Sequence, residues 1–213
     1  MNQNLYNIAL YGYTNAYAVL VGGLILAAIC AIVGKIFMSR DKWKNFVGTL
    51  FVFYWFLIVL FITIVGRVKT EEPKIELRLF WCIKEAWTNR DPLDWYFVTG
   101  NIALFIPIGL ILPMFFVNMR RWWKTVCVGF SFSVFVEVLQ LVLHLGLFEL
   151  DDMINNTFGC ALGYSLYIIY VWLLKRKKVS ALDKTISLGL WLLTIVFLTV
   201  AIYLGQPVFD MFV

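Results

Sequence analysis

Six mostly apolar stretches, at 16–34, 46–66, 95–117, 122–143, 153–174 and 186–204, constrain this chain more than any other feature. Each approaches the roughly 20 residues a helix needs to cross a bilayer's hydrocarbon core. None alternates with period two, as barrel strands do. A helix satisfies its own backbone polar groups in lipid, so the stretches predict an all-α integral membrane protein with about six transmembrane helices. Nothing divides the 213 residues, so 1–213 reads as a single transmembrane domain. The composition is 62% hydrophobic and 15% charged, against about 45–50% and about 25% in soluble domains. That excludes a soluble enzyme and a disordered chain. It also makes the net charge of +5 a matter of membrane topology; no nucleic-acid partner is expected.

Lys and Arg collect on the cytoplasmic side of membrane proteins. Lys35, Arg40, Lys42 and Lys44 follow the first stretch; Arg120, Arg121 and Lys124 follow the third; Lys175, Arg176, Lys177, Lys178 and Lys184 follow the fifth. These three connections hold 12 of the 18 basic residues, so they read as cytoplasmic and both termini as outside. In the long loop 67–94 the remaining six bases face six acids, and 144–152 has no Lys or Arg. Both loops read as external. No basic residue precedes Lys35. The first stretch therefore lacks the charged start of a cleavable signal peptide and reads as a retained span. The expected location is the cell membrane, multi-pass.

Polar residues inside such spans need a reason, because an ionisable group there costs a few kcal/mol. Glu137 lies six residues before the end of its span, about 9 Å deep at the rise of a helix. Gln140, three residues on, shares its face. Asn101 lies at a similar depth in the preceding span. Asp151 and Asp152 open the next one, with Asn155 and Asn156 four residues below them, and Arg67 closes the second. The basic loops alone set the topology, yet every one of these residues falls in the outer half. They predict a polar pocket open to the outside, built from spans two to five, with nothing comparable inside to complete a transport path.

Each residue also has a plainer explanation. Glu137 can be a packing partner of Arg67 or Gln140. Asn101 can bridge helices, Asp151 or Asp152 can cap a helix, and Arg67 can snorkel. Gly159 and Gly163 form a small-xxx-small face for close helix packing. The alternation from Lys74 to Leu79 suggests a short surface strand or interfacial element, which with Phe80, Trp81, Ile83 and Trp87 would cover the pocket. The four cysteines imply no disulfide, and His144, the lone histidine, reads as interfacial. No metal or cofactor is expected, although Glu149, Asp151 and Asp152 are the oxygen ligands that Mg²⁺ or Ca²⁺ would take.

Three blocks resemble the VanZ-like membrane protein family: Asn101 to Gly109 with Phe105 and Pro107; Ser133, Glu137 and Gln140; and Glu149, Asp152, Asn156, Gly159 and Gly163. They come in the family's order and spacing across a core of about 50–175, which encloses the external loop 67–94. The chain departs from the pattern in places: Glu149 stands where the family has Asp, Leu147 where many members have Arg, and the family's N-L-x-P-F element is degraded to Leu77-Arg-Leu-Phe80. The resemblance implies a role in antibiotic resistance, namely low-level resistance to teicoplanin-type lipoglycopeptides acting at the cell envelope.

The expected function is binding of a lipid, a lipid-linked cell-wall precursor or a lipoglycopeptide in the outward pocket, lowering drug access. Arg67, Asn101, Glu137, Gln140, Asp151, Asp152 and Asn156 would form the site, with Arg67 meeting a phosphate. The alternative is a membrane enzyme modifying a lipid headgroup or wall precursor, with Glu137 as acid or base and Asp152 as the other catalytic candidate.

Overall fold

The computed structural model describes residues 21–64, 74–89 and 92–174, together with Glu72, Leu188, Gly189 and Leu192. Along the chain run α1 (Val21–Phe37), α2 (Arg40–Ile64), β1 (Lys74–Glu76), α3 (Trp81–Asn89), α4 (Pro92–Phe115), α5 (Trp122–Leu143), β2 (Leu147–Glu149) and α6 (Leu150–Leu173). A single 3₁₀ turn, Val117–Met119, lies between α4 and α5. Arg67, the basic segment 175–184 and nearly all of the expected span 186–204 lie outside the described residues.

Among the described residues, three helices are long and apolar enough to cross a membrane: Arg40–Ile64, Asp94–Phe115 and Trp122–Leu143. They coincide with the second, third and fourth expected spans. Phe53, Ile62, Phe130 and Val142 on α2 and α5 are at least half exposed, as lipid-facing side chains are. α6 is equally long but more polar, with Asp151, Asp152, Asn155, Asn156 and several tyrosines. It can carry them because it is the most enclosed helix, packed between α4 and α5.

Lipid tails are as apolar as leucine, so helices in a bilayer associate through close packing rather than water exclusion. The α4–α6 seam shows how. A Cβ added at Gly159 or Gly163 would overlap the carbonyl oxygen of Ile102 or Ile106, one turn apart on α4; one at Gly109 would overlap that of Cys160. The expected small-residue face therefore exists, and α4 is its partner. Around the seam, Val59, Phe105, Ile108, Phe132 and Val136 form the apolar core, with the rings of Phe56 and Phe132 stacked 3.9 Å apart. Polar ties add register. Trp55 Nε1 donates to the Leu104 carbonyl at 2.8 Å, joining α2 to α4 beside Pro107. Tyr164 Oη donates to the Arg120 carbonyl at 2.8 Å, holding the α4–α5 connection against α6.

Among the described residues one two-stranded parallel ladder accompanies the helices; it pairs Lys74 with Leu147, Ile75 with Phe148 and Glu76 with Glu149. The alternation at 74–79 thus yields a strand, and its partner is the segment leading into α6. α5 ends in a reversal: His144 adopts a left-handed conformation (φ 56°), and Leu145 N donates to the Gln140 carbonyl at 2.9 Å. This is the bond of a Schellman cap, and Gly146 continues the turn at φ 121°.

Candidate functional site

The end of α5 and the starts of α4 and α6 meet at one end of the bundle, under α3. Between them lies a cavity of about 420 Å³ lined by Cys82, Glu85, Asp94, Phe97, Val98, Asn101, Glu149 and Asp152. Its wall from α4 has helical spacing: Asp94, Val98 and Asn101 follow at i, i+4 and i+7. From α3 come Cys82 and Glu85, one turn apart. Glu149 is the N-cap residue of α6, and Asp152 lies in its first turn, where negative charge suits the helix dipole.

The seven residues expected from the sequence separate into groups. Asn101 and Asp152 line the cavity. Four others are buried and brace the walls. Glu137 Oε2 accepts the backbone N–H of Glu149 at 3.1 Å. Gln140 Nε2 donates to the Thr63 carbonyl at 3.0 Å, tying α5 to the end of α2. Asn156 Nδ2 donates to Ser133 Oγ at 2.9 Å, tying α6 to α5. Asp151 reaches across to the α3 segment: Oδ1 accepts Phe80 N–H at 2.6 Å, while Oδ2 accepts Cys82 N–H at 2.9 Å and the Cys82 thiol at 3.0 Å. Arg67 lies outside the described residues.

Three polar cavity residues, Cys82, Glu85 and Asp94, escaped the sequence reading, as did the apolar pair Phe97 and Val98. Asp94 was legible, because it stands seven residues before Asn101 on one helical face. Cys82 and Glu85 were not, since only the Asp151 clamp and the β1–β2 pairing bring their segment over the bundle.

The lining is strongly anionic, with carboxylates from Glu85, Asp94, Glu149 and Asp152. Burial, then the hydrogen bond from its thiol to Asp151, then the negative charge of Asp151, Glu149 and Asp152, push the Cys82 thiol well above its usual range. Cys82, Glu149 and Asp152 hold their ligand atoms within 4.8 Å of one another, close enough to share a cation. Two carboxylates suit a hard cation. The thiol, held protonated, is the weakest of the three ligands.

The family model described as VanZ/LLP1 matches residues 24–174. Protein VanZ of Enterococcus faecium is 29% identical over 99 residues, spanning 46% of this chain and 61% of that protein's length. No solved structure gives a significant match. The matched region runs from α1 to the end of α6 and contains every residue of the cavity, so this chain belongs to the VanZ/LLP1 family.

Proposed function

We propose that this is a multi-pass protein of the cell membrane, with six spans and both termini outside. Its cavity opens outward and binds the headgroup of an amphiphile: a membrane lipid, a lipid-linked cell-wall precursor or a lipoglycopeptide. Occupancy of the site lowers susceptibility to teicoplanin-type antibiotics. The distribution of Lys and Arg supports the orientation. The observation that carries the reading is the cavity itself, which gathers Asn101 and Asp152 with Glu85, Asp94 and Glu149 at the one end of the bundle read as external.

The four carboxylates decide the chemistry of the ligand's polar end. A bare phosphate would meet like charge, which is disfavoured; an ammonium or amine meets opposite charge. Asp152 and Glu149 receive that cation, Asn101 orients the neighbouring polar group, and Phe97 and Val98 contact its apolar part. Glu137, Gln140, Asp151 and Asn156 hold the walls.

The enzyme reading has one observation in its favour, a carboxylate at the cavity surface. Of the two acids expected for this role, Asp152 lines the cavity, whereas Glu137 is 2% exposed and its Oε2 accepts the Glu149 backbone N–H. Asp152 is therefore the acid or base in this alternative.

The test is teicoplanin and vancomycin inhibitory concentration in a susceptible Gram-positive host expressing wild type, Asp152→Asn or Asn101→Leu at matched membrane levels. Protection by wild type and its loss in both variants supports the cavity as the working site. Equal protection by all three sinks it, and no protection by wild type removes the resistance reading.

A further inference from the structure

Across the cavity from α6 runs a strap, residues 74–89, that carries an unusual outer surface. Ile75, Leu77, Leu79 and Phe80 are 58–61% exposed and Trp87 is 50% exposed. Up to Leu79 the apolar residues alternate with Glu76 and Arg78, which pair with each other: Arg78 Nε donates to Glu76 Oε1 at 2.7 Å, and a second bond joins Nη2 to Oε2. The pairing with Arg78 pulls the Glu76 carboxyl down to about 2, so the pair stays closed across the neutral range. The polar residues satisfy one another and leave the apolar ones to face outward.

The strap is held firmly, not loosely draped. β1 is hydrogen-bonded to β2, and Asp151 clamps the backbone at Phe80 and Cys82. Phe80 itself takes a left-handed conformation, φ 58°, which is unusual for a bulky residue. On the inner side Ala86 is fully buried where α3 packs on α4.

We infer that the strap is an interfacial membrane element, its backbone at the headgroups of the leaflet at the α4 N-terminal end and Ile75, Leu77, Leu79, Phe80 and Trp87 inserted just below them. Three features carry this. Exposed aromatics also mark α4, on which α3 packs: Tyr96 and Phe97 are 68% and 55% exposed in the second turn of a helix long and apolar enough to span. Trp81 is flanked by two cations, the Arg78 guanidinium 3.4 Å and the Lys84 ammonium 5.9 Å from its ring centre, and Trp with Lys or Arg marks the interface. The depth follows from β1 being paired on one edge among the described residues. An open strand edge is excluded from hydrocarbon, so the backbone stays at the headgroups while the side chains reach below.

The inference rests on the membrane reading of α4 and on no particular ligand, so it stands or falls separately from the resistance assay. The full chain is reconstituted in phosphatidylcholine vesicles whose acyl chains carry bromine near the headgroup or near the methyl end. The emission lost between wild type and the Trp81→Phe/Trp87→Phe double variant reports the strap. That emission is expected to be quenched by shallow bromine more than by deep bromine, and to be shielded from aqueous acrylamide. Quenching by acrylamide with no response to either lipid overturns the inference. If the double variant fails to fold, a nitroxide on Leu79→Cys, in a chain with its four native cysteines replaced by Ser, gives the same reading. Contact with oxygen above contact with a water-soluble nickel complex supports insertion; the reverse overturns it.

Discussion

The Glu137 carboxylate, six residues before the end of α5, accepts the backbone N–H of Glu149 at 3.1 Å. This ties the reversal after α5 to the first residue of the cavity wall. Asp152, on that same wall, is fixed relative to α4 by the glycine seam below it. A buried acid that the sequence offers as a catalytic candidate thus holds another acid in place.

Glu137→Gln keeps an acceptor oxygen and is expected to unfold close to the wild-type temperature. Glu137→Leu removes it and leaves the Glu149 N–H without this partner, at a cost of about 1–3 kcal/mol. Thermal unfolding in detergent, followed by circular dichroism, reads the difference. Equal melting of the two variants would show that the bond carries no weight.

Cys82 should alkylate slowly. Its thiol is raised chiefly by burial and then by Asp151, so at pH 8 its thiolate fraction lies below that of an ordinary cysteine with pKa about 8.5. The rate is expected to keep rising beyond pH 9, where an ordinary thiol levels off. Asp151→Asn removes the carboxylate's charge, shifts the thiol pKa downward and speeds labelling. Peptide-resolved mass spectrometry after timed iodoacetamide exposure separates Cys82 from the other three cysteines. A labelling rate unchanged by Asp151→Asn counts against the clamp.

The helix seam gives a contrast within one residue type. Gly163→Ala drives a methyl into the Ile106 carbonyl, an overpacking cost of roughly 1–3 kcal/mol, more if the backbones cannot separate. Gly100→Ala, on the same α4, meets nothing within 4 Å and should be neutral or gain about 0.5–1 kcal/mol from reduced chain freedom. Folded yield and melting temperature of the two variants should therefore move in opposite directions, or only the first should fall.

At the cavity mouth, Glu85 is exposed and Asp94 half-buried, so neutralising either should leave folding intact while weakening the site. Glu85→Gln and Asp94→Asn are each expected to reduce protection against teicoplanin at wild-type melting temperature, and the double variant more than either. Full protection by the double variant would restrict the working charge to Glu149 and Asp152.

Much of this was legible because apolar runs report helices directly. The second, third and fourth spans lie where hydropathy puts them, and the bounds of α5 are the same from both. The fifth was harder. Its 24 residues carry enough amides, acids and tyrosines to look less like a span, and only its enclosure by α4 and α5 explains them. Residue depth was also readable: Asn101, Glu137 and Asp152 do share one end of the bundle. Their division of labour was not. Whether a buried carboxylate faces a cavity or a backbone N–H depends on the turn opposite, and the left-handed residues Phe80 and His144 that shape those turns are neither glycine nor asparagine. Cys82 and Glu85 entered the site through a parallel pairing between segments 73 residues apart in register, which no local pattern announces.

That pairing sets an order of assembly. A chain is synthesised from its N-terminus, and β1 and α3 emerge before their partners β2 and Asp151 exist. Until α4 and α5 have been made and α6 has followed, the strap has neither its strand partner nor its clamp. Long-range parallel contacts form slowly in any case. The carboxylate-lined chamber thus closes only once α6 has been made, and a chain cut short before Leu147 would hold α1, α2, α4 and α5 yet have no chamber at all.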